Sequence, residues 1–577
     1  MPVLTVIDTT GTQRYIFGSN RLRENIGASE IVARATSVWV CEELQKLAGK
    51  EAQRWANNLK GAVRLPSEVF DQIDESKTSG ANGVQVELIY AGGGNTLILF
   101  EGEAPDVESR KSQALANAVE FTKHYTRRLT QDAPGLEVVV AHSDWFDMTA
   151  GKSIIEANVQ AMRRVNDKKA HRPLSAPLGG LGVTALCAST GSVANVQPPV
   201  SSEKQRLEKY GNGYVAEEIA AKLDIAQEAN KRLNQEIFEH SARWAQLGLA
   251  IPLNFDDIGR THGETSLLAV VHTDGNGMGN RIKEHGQQAT DNRDWINRMR
   301  KMSRRIDKVN RQALQGMVDL LLEHIEKDGD EGRILFSGER KFTLNQNRDG
   351  KFCVPLRPLV FGGEDVAFVC DGRIGLSLAA AYLENLETAG DLPDGAKLYG
   401  RAGVAIVKAH YPFARAYSLA EDLAKSAKEI IGEIDPQHKR VQALDWHVAM
   451  SGLLGGVGDI RRREYVARDK SKLNTRPLLL RPAAGEGWRN WVKFVELMHL
   501  FQGEKWRERR NKLKALRETL RQGKDATKNF AQLYRLESDL PEVKNSWVAS
   551  RCAWFDALEA LDWHYPLDGK AKGDATA

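Results

Sequence analysis

The period of the apolar positions changes several times along the first 140 residues. Leu4-Thr5-Val6-Ile7, running into Asp8-Thr9-Thr10-Gly11, is rich in β-branched residues and closes on a glycine, which predicts a strand entering a turn. Ile31, Val32, Ala35, Val38 and Trp39 then recur at three-to-four spacing and predict a helix from about Arg21 to Leu47. A polar, glycine-containing stretch from Pro66 to Gly83 breaks that pattern. Val84–Tyr90 and Thr96–Phe100 flank Ala91-Gly92-Gly93-Gly94-Asn95, two strands around a glycine-rich bend. A helix from about Val107 to Gln131 and a strand at Leu136–Ala141 complete the order βαββαβ, the split ferredoxin-like plan.

The same order returns from Leu267. A strand at Leu267–Val271 runs into His272-Thr273-Asp274-Gly275-Asn276-Gly277-Met278-Gly279, and a long helix follows from about Trp295 to Lys327. A strand from Leu359 enters the turn Gly362-Gly363-Glu364-Asp365, and Val366–Cys370 returns. A helix at Gly375–Leu386, a strand at Leu398–Val407 and a helix at Ala414–Ile431 complete the copy, placing the two glycine-rich hairpins at equivalent positions. Between the copies, Arg163–Pro199 is basic and then rich in Gly, Ala, Ser and Pro, and Ser202–Gln246 favours helix. Beyond Leu444 the chain is predominantly helical. The expected class is therefore α+β. A first ferredoxin-like unit spans 1–160, a connector with helices 161–262, a second unit 263–445, a helical C-terminal domain 446–567 and a disordered tail 568–577.

A chain of 577 residues exceeds what one core supports, in keeping with this division. Hydrophobic and charged fractions of 42% and 27% are those of a globular protein. The N-terminus lacks the pattern of a signal peptide, and no apolar run approaches the roughly 20 residues of a membrane span, so a cytoplasmic location and no membrane partner are expected. Cys41, Cys187, Cys353, Cys370 and Cys552 form no CxxC pair, which suggests neither a disulfide framework nor a zinc site.

Chemistry concentrates in the second copy. The first strand of a ferredoxin-like sheet lies beside the central hairpin at about 4.8 Å, so Asp274 faces Glu364 and Asp365. Such a carboxylate set suits two hard cations, Mg²⁺ or Mn²⁺, of the kind that catalyse phosphoryl and nucleotidyl transfer. Gly362 and Gly363 let a nucleotide approach the backbone. The N–H groups of Asn276, Gly277 and Met278, where strand becomes helix, offer a triphosphate cradle, and Lys428 is placed to reach its outer phosphates. The first copy retains Asp8 and the glycines but has no acidic pair, so Gly92, Gly93, Gly94 and Asn95 either bind a second nucleotide or are a structural duplicate.

The run Ile7–Gly11 through Tyr15-Ile16-Phe17, the stretch Leu22-Arg23 through Gly27-Ala28-Ser29, and Tyr90–Asn95 resemble the first palm domain of the large polymerase-like subunit of type III CRISPR effectors. Asp274–Gly279, Gly362–Asp365, His410-Tyr411-Pro412 and Ala427-Lys428 resemble its second palm domain. The Gly-Gly-Glu-Asp turn is also similar to that of GGDEF diguanylate cyclases. The resemblance covers roughly residues 1–480. It implies a palm-type nucleotidyltransferase that joins nucleoside triphosphates, commonly ATP, into cyclic oligonucleotide messengers for antiviral defence, alongside protein subunits of a defence complex. Three departures stand out: there is no His-Asp dipeptide to mark an HD nuclease, no recognisable zinc ribbon, and a glutamate where the usual turn has Gly-Gly-Asp-Asp.

Glu504–Arg521 carries eight Lys and Arg residues on what reads as one helix, and Arg461-Arg462-Arg463 adds a second cluster, so RNA is a candidate partner. Leu513, Leu516 and Leu520 at three-to-four spacing turn one side of that helix inward. Two other readings remain open: a non-catalytic scaffold that binds RNA or protein through a retained palm pair, and a diguanylate-cyclase-like enzyme.

Overall fold

The computed structural model describes residues 1–577 except 45, 48–85, 103, 172–181, 200–206, 208, 212, 260–265, 329–331, 338–339, 438–439, 451–454, 484–486, 542–545 and 568–577. The expected polar stretch Pro66–Gly83 and the tail from Asp568 lie outside the described residues.

Two antiparallel sheets carry the duplicated plan. In the first, β1 (Val3–Thr10), β2 (Val86–Gly92), β3 (Asn95–Phe100) and β4 (Glu137–Trp145) lie in the order β2-β3-β1-β4. The second contains β5 (Leu267–Gly275), β9 (Leu356–Val360), β10 (Val366–Asp371) and β11 (Gly400–Lys408) in the matching order β9-β10-β5-β11. It continues through β12 (Ala443–Ala449), parallel to β11, and the short β13 (Leu478–Leu479). The second sheet thus runs past residue 445, into sequence read as helical. The small sheet of β6 (Ile325–Asp328), β7 (Gly332–Ser337) and β8 (Arg340–Thr343) is inserted before β9 and was not legible as a separate element.

The helices follow the expected periodicity. In the first unit they are α1 (Thr12–Phe17), α2 (Leu22–Ala35), α3 (Val107–Asp132) and α4 (Ser153–Ala170), with α5 (Glu217–Leu233) in the connector. The second unit has α6 (Met278–Gln287), α7 (Asn292–Glu323), α8 (Gly375–Thr388) and α9 (Phe413–Ile434). The expected 21–47 helix is interrupted: α2 stops at Ala35, and the Thr36 hydroxyl donates back to the Val32 carbonyl at 3.1 Å. Glu504–Arg521 likewise forms two helices, Glu504–Arg507 and α10 (Arg510–Leu520), rather than one.

β5 is buried along almost its whole length, because helices cover one face of its sheet and the first unit packs against the other. One apolar cluster joins Ile7 and Ile98 of the first sheet to Val270, Val369 and Val407 of the second. Each such side chain contributes about 1.5–3 kcal/mol on burial, which fastens the two units together. Phe17 of α1 stacks on Tyr417 of α9 with centroids 3.7 Å apart. A Cβ on Gly27 of α2 would overlap the Lys222 carbonyl of α5, so the connector helix closes directly on the first unit. On the far side, Trp446 of β12 meets Phe494 of the C-terminal helices edge-on at 5.2 Å. No helix among the described residues is long and apolar enough to cross a membrane.

Candidate active site

Strand register builds the acidic corner. Thr273 of β5 is paired with Val366 of β10, and its hydroxyl donates to the Val366 carbonyl at 2.9 Å. One residue further along both strands, Asp274 therefore faces Asp365, with Glu364 beside it at the turn. One carboxylate oxygen from each of Asp274, Glu364 and Asp365 lies within 4.8 Å of the others. On the other side of β5, Arg401 of β11 is the register partner of Asp274 and ion-pairs with it. Arg401 also donates to Asn276 Oδ1 at 3.1 Å.

One guanidinium does not balance three carboxylates. Desolvation, reinforced by the Asp274 charge and opposed by Arg401, pushes the Glu364 carboxyl up to about 7. Asp365 is raised well above the ordinary carboxylate range by desolvation and by its two acidic neighbours, although its side chain still opens to solvent along the cleft. A concentrated, accessible set of hard oxygen donors, whose full ionisation exceeds the charge of one arginine, fits a divalent cation such as Mg²⁺ or Mn²⁺.

The turn is held from behind. Gly362 and Gly363 adopt φ of 125° and 82°, a backbone open to glycine. Asn310, buried on α7, donates to the Gly363 carbonyl at 2.7 Å and accepts from the Tyr382 hydroxyl at 2.6 Å. The Arg232 guanidinium lies over the Phe361 ring at 4.4 Å and is itself paired with buried Glu30 of α2 at 2.7 Å. Sequence reading had found neither Arg401 nor this support. A lone Arg or Asn in a helix or strand carries no signal until register and packing show what it faces.

The expected phosphate cradle is only partly available. The Asn276 N–H donates to the Tyr399 carbonyl at 2.8 Å, and its side chain donates to the Val441 carbonyl at 2.9 Å. This corrects the reading of Asn276 as a phosphate donor: it fixes the loop. Gly277, left-handed at φ 65°, and Met278 stand at the start of α6. Lys428 is exposed on α9, makes no hydrogen bond or ion pair among the described residues, and does not line the cleft described below. Lys425, one turn earlier, is paired with Glu421 and Asp422 on the same helix.

In the first unit Asp8 is the register partner of Asn95, as Asp274 is aligned with Asp365. Its other neighbour across the sheet is Val139, where the second unit has Arg401. Lys169 of α4 supplies the cation instead, 2.7 Å from Asp8. The two turns meet: a Cβ on Gly363 would lie 2.8 Å from the Gly93 Cα. Around this contact opens a cleft of about 1010 Å³, lined by Asp8, Gly92–Asn95 and Gly362–Asp365 and walled by α7.

The basic clusters are tied into the protein in part. Arg461 is bidentate to buried Asp445 at 2.6 and 2.8 Å, while Arg462 pairs with Asp459 and Arg463 with Glu464. Arg509 pairs with Asp539 at 2.8 Å, and Leu513, Leu516 and Leu520 are buried as expected. The five cysteines are all buried and free.

No family model matches the sequence, and no curated protein matches it. Solved structures do match in fold. A structure of a Csm1–Csm4 cassette in complex with pppApApA aligns with a TM-score of 0.52 and 13% identity, covering 97% of this chain and 69% of that one. The crystal structure of Csm1 from T. onnurineus aligns with a TM-score of 0.50 and 13% identity over the same shares. The two ferredoxin-like units and the helices around them therefore form a Csm1-like fold.

Proposed function

We propose that this protein is a metal-dependent nucleotidyltransferase that joins nucleoside triphosphates into oligonucleotides, cyclic ones included, at Asp274, Glu364 and Asp365. The observation that carries this reading is the convergence of the three carboxylates within 4.8 Å at the rim of a cleft shared by both glycine turns. Asp274, Glu364 and Asp365 would hold the cations. Two bound Mg²⁺ or Mn²⁺ ions would lower the pKa of an attacking hydroxyl and offset the charge of departing pyrophosphate. Gly362 would leave room for a triphosphate against the backbone, while Gly363 packs on Gly93; Gly277 and Met278 at the start of α6 would receive it, and Asn310 keeps the turn in place. Gly92–Asn95, which line the same cleft and meet the acidic turn at Gly93, would seat the acceptor nucleotide. That Csm1–Csm4 is known in complex with pppApApA supports ATP as substrate and a partner subunit of the Csm4 kind.

The test is incubation with each labelled triphosphate and Mg²⁺ or Mn²⁺, with and without RNA, and analysis of products by mass spectrometry. A metal-dependent oligonucleotide that disappears in Asp365→Ala supports the reading, and no product with any base or activator refutes it. One observation favours a second reading, a scaffold without catalysis: Arg401 already provides Asp274 with a resident counter-charge. Product formation by the wild type excludes that alternative.

A further inference from the structure

Two glycines in series give the acidic turn a freedom that its charges can exploit. Gly362 and Gly363 come directly before Glu364 and Asp365, and three crowded carboxyls repel one another when ionised. A loosely held turn would therefore carry its two acids away from Asp274. Asn310 of α7 holds the Gly363 carbonyl, and Gly93 packs on Gly363 at the tip. The stem of the turn, at Phe361, is held from elsewhere in the chain.

The guanidinium of Arg232 lies 4.4 Å from the centroid of the Phe361 ring. Arg232 is buried in the last turn of α5, in the connector, and belongs to a row of alternating charges. The row runs Arg34, Glu30, Arg232, Glu236, Arg311, Asp307, with successive pairs at 2.7, 2.7, 3.4, 3.5 and 2.5 Å. It starts on α2 of the first unit, crosses the connector and ends on α7, where Asp307 Oδ1 stands 3.7 Å from a Cβ on Gly362. Glu236 sits in a π-helical turn, Asn234–Phe238, that continues α5, and its carbonyl accepts from Gln315 of α7 at 2.7 Å. Arg232 is thus anchored on the first unit by Glu30 and on the connector by Glu236, while its fork rests on the residue that enters the acidic turn. Removing Arg232 strands neither acid, since Glu30 keeps Arg34 and Glu236 keeps Arg311.

Resting on the nucleotidyltransferase reading above, we infer that Arg232 is a positioning residue for the acidic corner. Through Phe361 it passes the placement of the first unit and the connector on to Glu364 and Asp365. The first unit then has a part in the chemistry that requires no carboxylate pair of its own. A guanidinium over a partly buried ring is strong enough to shift a local equilibrium roughly 10-fold. Loosening the stem should therefore weaken cation binding through lost preorganisation, with every ligand still present.

The test reads the turn itself, without nucleotide or turnover. Arg232→Met, Phe361→Leu and the double variant are compared with wild type by hydrogen exchange at the backbone N–H groups of residues 361–366 in EDTA. Mn²⁺ affinity is measured beside it by electron paramagnetic resonance. Each single variant should speed exchange at the turn roughly 10-fold and weaken Mn²⁺ binding by a similar factor, leaving exchange in β11 as in the wild type. Because Arg232 acts through Phe361, the double variant should match Phe361→Leu alone rather than sum the two effects. Unchanged turn exchange in Phe361→Leu, additive effects in the double variant, or equal acceleration in β11 overturns the inference. Phe361→Leu leaves the charged row intact, so it decides the question even where Arg232→Met folds poorly. A wild type that binds no Mn²⁺ would sink the nucleotidyltransferase reading, while the exchange result would still decide the positioning.

Discussion

The two ferredoxin-like units share a backbone and differ in a handful of side chains. Both order their four strands identically, and both leave the first strand through a left-handed glycine, Gly11 and Gly277, at φ 65°. Both central hairpins turn on paired glycines, with φ of 142° and 62° at Gly92 and Gly93 against 125° and 82° at Gly362 and Gly363. They part at the next position. Gly94 stays left-handed at φ 87°, whereas Glu364 does not. Thus the first turn has a backbone that disfavours a side chain at the position where the second places a carboxylate. Asp8 is then left with Lys169 as a satisfied ion pair, while Asp274 stands in a cluster of three carboxyls beside a single arginine. Duplication kept the scaffold, and local φ together with two side-chain identities decided which copy gathers three carboxylates.

The largest effect should come from removing the feature that separates the units. Asp365→Ala should reduce product formation roughly 10³-fold or more, equivalent to about 4 kcal/mol of barrier. Asp8→Ala should leave a much larger residual rate, since among the described residues Asp8 belongs to no such carboxylate cluster. Equal losses in a product assay would remove the distinction between the units.

Next is the support of the turn. Asn310→Ala removes the side-chain donor to the Gly363 carbonyl and one of the partners of the buried Tyr382 hydroxyl, which also bonds to Thr273. We expect a roughly 10–100-fold loss of activity, as for residues that orient ligands, together with about 1–3 kcal/mol of destabilisation. Denaturant melts beside kinetics separate the two, and loss of stability with unchanged turnover would deny Asn310 its positioning role.

A smaller change tests the φ difference itself. Gly94→Glu, intended to copy Glu364 into the first unit, should cost about 1–2 kcal/mol from the left-handed backbone, with its Cβ 2.9 Å from Thr9 Oγ1. It should create no second cation site by calorimetric titration. A new site at unchanged stability would show that the first turn is less constrained than its backbone indicates.

The subtlest effect is pH. Glu364 binds its proton more tightly in the folded than in the unfolded chain, with its folded value at about 7. In EDTA, its contribution should make the protein most stable below the ordinary glutamate range near 4.5, with stability falling as pH rises toward about 7 and levelling above it. Glu364→Gln should flatten that part of the melting profile. A profile unchanged by the substitution would place the charge strain elsewhere.

Much of this was legible along the chain. Alternating and three-to-four patterns marked the strands and most helices, because each element shows one face to a core and that period is written locally. Asp274, Glu364 and Asp365 were identifiable because their turns are short and glycine-marked. The break after Ala35, the insertion of β6–β8 and the extension of the sheet through β12 were not, since each depends on packing partners distant in sequence. The basic stretch 504–521 looked continuous because charge pattern alone does not reveal that Arg509 turns to Asp539.

By itself, the sequence determined that the protein has two copies of a βαββαβ unit, that only the second has an acidic turn, and that glycine occupies both hairpins. These are local consequences of residue type and spacing. Only the tertiary structure decided that the hairpins meet at Gly93 and Gly363, that Arg401 rather than a valine faces the key aspartate, that Asn276 is spent on the loop, and that α7 walls the cleft. The reason is physical. A side chain's period fixes the face it occupies, but the charge or backbone group opposite is chosen by strand register and by apolar burial between elements hundreds of residues apart.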